Sequence, residues 1–208
     1  MQIFIYIAII LLLFPAPVPA LGDQPLETLQ RGIDKGISIL VDPHYQDPSR
    51  RQEQEQKLWE ITQEYFDFTE FCRRVLASHW TEFTSPQRKE FIKLTSELLG
   101  KLNMRKLQTR YNGEKISYID QKIISKSKAL VEINVLWKNL EFPVTLRMKK
   151  SHGKWKVYDL TAFGVSAVAN YRAQIHQLMQ KKSPAEMIEI FKGKIREKEK
   201  KIEIDENA

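Results

Sequence analysis

The sequence predicts an α+β domain, in which a twisted antiparallel sheet of about four strands packs against a set of amphipathic helices. Three observations predict it. From Pro25 to Tyr111 apolar residues recur three or four positions apart, the helical period. From Ile116 to Leu160 they alternate with polar residues, and short turn signals separate the runs. At Gly164 the period becomes helical again, so a last strand leads through a glycine hinge into a helix that folds back across the sheet.

The elements follow in order. Ile3 to Phe14 is unbroken apolar sequence, followed by Pro15, Pro17, Pro19 and small residues. It is too short to span a bilayer and suits the apolar region of a signal peptide. Residues 1–22 are therefore read as a signal peptide, cleaved after Ala20 or Gly22. Because Met1-Gln2 lacks a basic side chain, a retained anchor is the alternative. Residues 23–195 make one domain. Pro25 opens a helix with Leu26, Leu29, Ile33, Ile37 and Leu40 along one face. A second helix starts near Ser49 and reaches Tyr65; a third pattern carries Phe71, Val75, His79 and Trp80. Ser85-Pro86 starts a fourth, with Phe91, Leu94, Leu98 and Leu102.

Asn112-Gly113 then marks a turn. Val131, Ile133, Val135 and Trp137 form one alternating face, and Phe142, Val144, Leu146 and Met148 another, joined by a tight Lys138-Asn139 connection. With a weaker strand at Ile116 to Ile124 and the strand from Trp155, this is a meander with one apolar and one basic face. Pro143 has no N–H, so its strand is expected at an edge or bulged there. Past the hinge, Val165, Val168, Tyr171, Ile175 and Leu178 take helical spacing, and Ser183 to Glu186 is a capping box with proline at its first helical position. Residues 196–208 are charged with sparse isoleucines and are expected to be disordered.

Charge and export bound the function. Residues 1–22 carry no charged side chain, so the exported chain keeps the formal net charge of +7. A basic balance suits an anionic membrane surface, and export argues against nucleic acid. Cys72 is the single cysteine, which excludes an internal disulfide, and its apolar neighbours make it a buried, inert thiol. The four histidines stand far apart without metal-site spacing. Asp159 is the most acid-like candidate, because strand parity puts it on the covered side with Trp155 and Val157. It would serve either a small cone-shaped enzyme or, the reading adopted, a structural role capping backbone N–H groups at the hinge. No enzymatic activity, cofactor or metal is expected. A surplus of large apolar residues remains, and periodicity alone does not distinguish a packed core from a ligand cavity.

Several stretches have a familiar form. Trp155-x-Val157-Tyr158-Asp159, then Gly164-Val165-Ser166, then Asn170 to Gln174 resembles the C-terminal signature of the toluene-tolerance family of periplasmic phospholipid-binding proteins. Phe66 to Trp80 is similar to that family's Asp-Phe…Leu-Gly-x-x-Trp region, with Ala77 in place of the usual glycine. Thr84 to Phe91 is similar to its Thr-x-x-Gln-Arg-x-x-Phe helix start. One departure is Phe163, where an acidic residue is usual.

The resemblance implies an apolar cavity between sheet and helices, and a monomeric periplasmic carrier holding a diacyl phospholipid by its tails. Its partners would be an outer-membrane lipoprotein complex and an inner-membrane MCE-domain protein of an ABC transporter; related members are associated with hopanoid export. On this reading the lipid is met by Trp80, Phe91, Leu94, Leu98, Val131, Ile133, Val135, Val144, Leu146, Trp155, Val157, Phe163, Val165, Val168 and Tyr171. Lys149, Lys150, Lys154 and Lys156 would form a basic rim favouring anionic headgroups.

Overall fold

The computed structural model describes residues 24–137 and 139–207. The expected signal peptide lies outside the described residues. Helix α1 is Pro25–Leu40, α2 Arg51–Tyr65, α3 Phe68–Leu76, α4 Ser85–Ser96 and α5 Leu102–Arg110, with a π-helical turn at Glu97–Lys101 joining the last two. Strands β1 Lys115–Ser125, β2 Lys128–Trp137, β3 Leu140–Ser151, β4 Lys154–Ala162 and β5 Val165–Ser166 form one antiparallel sheet in chain order, followed by α6 Ala167–Met179 and α7 Pro184–Asn207. No helix of the described residues is long and apolar enough to cross a membrane.

The helix starts are set by side chains that accept from otherwise unpaired N–H groups. Asp67 accepts from Glu70 N, Thr84 closes a reciprocal capping box with Gln87, and Ser183 exchanges hydrogen bonds with Glu186. Thr84, rather than the expected Ser85, is thus the cap of α4. The third helix also stops earlier than its apolar stripe predicts. Ala77 takes φ +49°, so His79 and Trp80 sit in a 3₁₀ turn instead of continuing α3. A positive φ costs alanine strain that glycine would not carry.

The sheet holds five strands rather than four. Phe163 and Gly164 both have positive φ, the type I′ pattern, and close a two-residue hairpin that pairs Ala162 with Val165. Val165 therefore belongs to a strand and not to the helix that follows. Pro143 sits on β3, a central strand, yet β3–β4 pairing ends at Val144↔Ala162, so the strand is locally an edge where the N–H is missing.

Strand β4 carries a bulge. Met148 pairs with Val157 but Arg147 with Asp159, leaving Tyr158 as the extra residue. The carbonyl of Val157 accepts from Asp67 N at 2.7 Å, so this part of β4 is tied to the α2–α3 link. The extra residue reverses side-chain parity. Val157 and Leu160 share the α1 face, and Asp159 points to the opposite one, correcting its expected place beside Trp155 and Val157.

Two apolar cores result. One lies between the sheet and α1, built on Leu29, Val131, Ile133, Leu146, Met148, Trp155 and Val157. The other is purely helical, with Phe71, Cys72, Leu76, Phe91, Val168, Ile175, Phe191 and Ile202 among its buried members. Ile202 explains why the charged C-terminal run is not the disordered tail its composition suggests. Its burial, with Lys198 Nζ donating to Leu98 O at 2.8 Å, keeps α7 helical to Asn207.

Candidate functional site

A cavity of about 730 Å³ opens between α1, α2, α5 and the apolar face of the sheet. Helix α1 supplies Leu29, Gly32, Ile33, Gly36, Ile37 and Leu40, the stripe that its sequence periodicity predicts. Helix α2 adds Leu58, Ile61 and Tyr65, α5 adds Met104 and Leu107, and the sheet adds Ile116, Val135, Phe142, Leu146, Val157 and Leu160. Leu29 and Leu40 stand eleven positions apart, so the cavity runs for ~16 Å along the helix.

The burial gradient orients it. Leu29, Leu58, Leu146 and Val157 are buried, whereas Trp137 is 46% and Leu160 40% exposed. The mouth therefore lies at the β2–β3 hairpin and the α5–β1 link, where Trp137, Phe142, Tyr111 and Glu114 line it. Phe163, 69% exposed, stacks on Phe142 with ring centroids 4.7 Å apart and extends this apolar lip. Glu114 is the one charged side chain among the described residues of the lining.

Glycines shape the wall. A Cβ on Gly32 would come within 2.7 Å of the Tyr65 ring, so that glycine permits close packing. A Cβ on Gly36 would meet nothing within 4 Å, because it faces the open cavity.

Three of the residues assigned to lipid from sequence line this cavity: Val135, Leu146 and Val157. Val131, Ile133 and Trp155 are buried in the sheet core beside it, and Val144 packs against that core. Phe91, Leu94 and Val168 belong to the helical core, with Trp80, Leu98 and Tyr171 packed against it. Val165 is 57% exposed on the short β5, and Phe163 reaches only the lip. Periodicity does not separate these positions, because an apolar residue four positions along a helix reports that a face is covered, not what covers it. The pair Gly32 and Gly36 was the missed signal, since two glycines inside an apolar helical stripe each cost about 1 kcal/mol of helix stability.

The expected basic rim is also relocated. Lys149 and Lys150 lie seven or more residues along β3 from Phe142, ~23 Å from the mouth. Lys149 donates to Glu70 at 3.0 Å, Lys150 lies 5.3 Å from the Trp155 ring centroid, and Lys156 donates to Gln63 O. Lys154 lines a separate small pocket of about 260 Å³ with Thr28, Arg31 and Trp155.

The chemistry-bearing groups are held by structure. Asp159 accepts from Val168 N at 3.0 Å and Ser166 Oγ at 2.8 Å, with Arg147 Nε at 3.6 Å. It therefore holds the start of α6, and it is not among the cavity-lining residues. Glu70 is buried with Arg73, Arg74 and Lys149 around it. Burial by itself would raise its pKa, but hydrogen bonds from Arg73, Lys149 and Arg74 override this and bring it down to about 2. Burial pushes the Cys72 thiol up to about 12, leaving no thiolate at neutral pH. The fold brings two histidines together: His79 Nε2 lies 3.0 Å from His176 Nδ1, and Glu82 bonds the other His79 nitrogen. Among the described residues, no group of three or more His, Cys, Asp or Glu converges to hold a metal ion.

Comparison with known proteins places this geometry. The intermembrane phospholipid transport system binding protein MlaC of Haemophilus influenzae is 30% identical over 98 residues, which cover 45% of each chain. The match thus spans about half the length of that relative. A solved structure of the phospholipid-binding protein from Ralstonia solanacearum, in complex with a phospholipid, shares the fold, with a TM-score of 0.70 at 16% identity. That match covers 84% of this chain and 98% of that one. The family model described as MlaC protein matches residues 30–192, so the chain belongs to the MlaC family.

Proposed function

We propose that this protein binds a phospholipid with its acyl chains in the cavity and its headgroup at the mouth, and carries it between two membranes. The observation that carries this reading is the cavity itself: about 730 Å³, apolar along α1, α2 and the sheet, and open at one end. Its volume lies in the upper part of the ~300–1,000 Å³ range of small-molecule sites. The names of the Haemophilus relative and the Ralstonia structure support phospholipid as the cargo.

Energetics dictate how such a carrier works. Burying each methylene is worth ~0.8 kcal/mol, so two C16 chains amount to roughly 25 kcal/mol. That exceeds the practical ceiling on affinity of about 18–21 kcal/mol, so release into water does not occur on a useful timescale. Lipid must pass from one apolar environment to another while the carrier is docked. On this reading the protein works in the periplasm, and its docking partners are those the family resemblance implies, an inner-membrane MCE-domain protein served by an ABC transporter and an outer-membrane lipoprotein complex.

The test is Leu146→Glu. Leu146 lines the cavity and is nearly buried, so a carboxylate there is desolvated and unpaired. The wild type, purified without detergent, should yield about one two-tailed lipid per monomer on organic extraction, and the variant should fold with its lipid lost. A folded Leu146→Glu protein with full lipid occupancy would overturn the assignment of this cavity.

A further inference from the structure

The mouth contains a charge that the overall balance of the chain would not suggest. With a net charge of +7, an anionic headgroup is the natural expectation. Yet the lysines expected to form a basic rim lie at the far end of the sheet. Across three strands Lys128, Lys149 and Lys156 stand in register on the face away from the cavity. At the mouth, the charged side chain among the described lining residues is a carboxylate, Glu114.

Glu114 is held in place. It follows Gly113, whose φ of +76° turns the chain between α5 and β1, and its Oε2 accepts from Asn112 N at 3.0 Å. Its side chain is part of the lining at the mouth. Among the described residues, two neighbouring charges on the sheet point away from it. Lys115 precedes Ile116, a lining residue, and alternation along β1 turns its side chain to the opposite face. Glu141 pairs with Leu136 and bonds Asn134 on that same opposite face. Tyr111, also at the mouth, brings an aromatic ring, and such rings attract ammonium groups by their faces.

We propose that this mouth selects headgroups carrying an ammonium group, so that zwitterionic aminophospholipids are preferred to anionic phospholipids. This rests on the cavity being the lipid site. A single partly screened ion pair, with some aromatic help, gives a preference of about three- to fivefold. The ammonium would sit against Glu114, and the phosphate would remain in water.

The experiment loads delipidated protein from vesicles containing equal amounts of phosphatidylethanolamine and phosphatidylglycerol, then quantifies both lipids in the re-purified protein by mass spectrometry. The wild type should be enriched about three- to fivefold in phosphatidylethanolamine at low salt, and the enrichment should fall as ionic strength rises. Glu114→Gln, which keeps the acceptor for Asn112 N but removes the charge, should return the ratio to that of the vesicles. Glu114→Lys should reverse it. Wild type carrying lipid at the vesicle ratio would overturn the headgroup preference alone, as would enrichment that survives in Glu114→Gln. Wild type that takes up neither lipid would overturn the cavity assignment and this proposal with it. Should Glu114→Gln fail to fold, salt-insensitive enrichment in the wild type would still refute it.

Discussion

At the scale of single residues, several polar side chains within the familiar stretches hold the frame and are not among the cavity-lining residues. Asp159 caps the start of α6, Arg172 Nε donates to Arg74 O and ties α6 to α3, and Glu70 collects three basic partners. Such roles are partly legible in sequence, because a carboxylate a few residues before a helix suggests a cap. The face Asp159 occupies is not, since the Tyr158 bulge that reverses it depends on Asp67, ninety residues earlier in the chain, bonding Val157 O. Asp159→Asn replaces an acceptor with a donor while two donors still face it. It should lower stability by about 1–3 kcal/mol in chemical denaturation and leave cavity loading intact. Glu70 supplies a pH dependence. Its pKa of about 2 lies below the ordinary 4.5, so it stabilises the fold fully above pH 4.5 and loses that contribution as pH falls toward 2. In Glu70→Gln, stability at pH 7 should drop by on the order of 2–3 kcal/mol, and the loss between pH 4.5 and 2 should be shallower than in wild type.

Among the elements, those with strong internal pattern were the legible ones. The α1 stripe, the alternation of β2 and β3 and the cap of α7 all follow from periodicity and turn chemistry. The short β5 and the extent of α7 did not, for opposite reasons. Two residues are too few to show a period, and the lysines and glutamates after Arg196 mask one buried isoleucine in each few turns. That isoleucine matters more than the charge around it. Ending the chain after Ile195 removes Ile202 from the helical core and the Lys198–Leu98 bond. It should cost about 2–3 kcal/mol, seen as a lower melting temperature, rather than leave stability unchanged as a frayed tail would.

For the whole molecule, two cores divide the work. The helical core carries six of the fifteen apolar residues that sequence reading gave to the ligand. The sheet core is left incomplete where α1, α2 and α5 stand off from β2 and β3, and that gap is the cavity. Sequence cannot separate the two, because a buried leucine against protein and one against an acyl chain have the same spacing and the same hydropathy. Space is visible only where a small residue borders it. Gly36 is that residue: it lines the cavity, and a side chain there would meet no protein atom within 4 Å. The most direct measurement is therefore lipid occupancy of Gly36→Trp by native mass spectrometry, beside its melting temperature. The account predicts a folded protein at least as stable as wild type, since a helical glycine is replaced, with little or no bound lipid where wild type carries one. A Gly36→Trp protein that melts normally and still holds one lipid per monomer would contradict it.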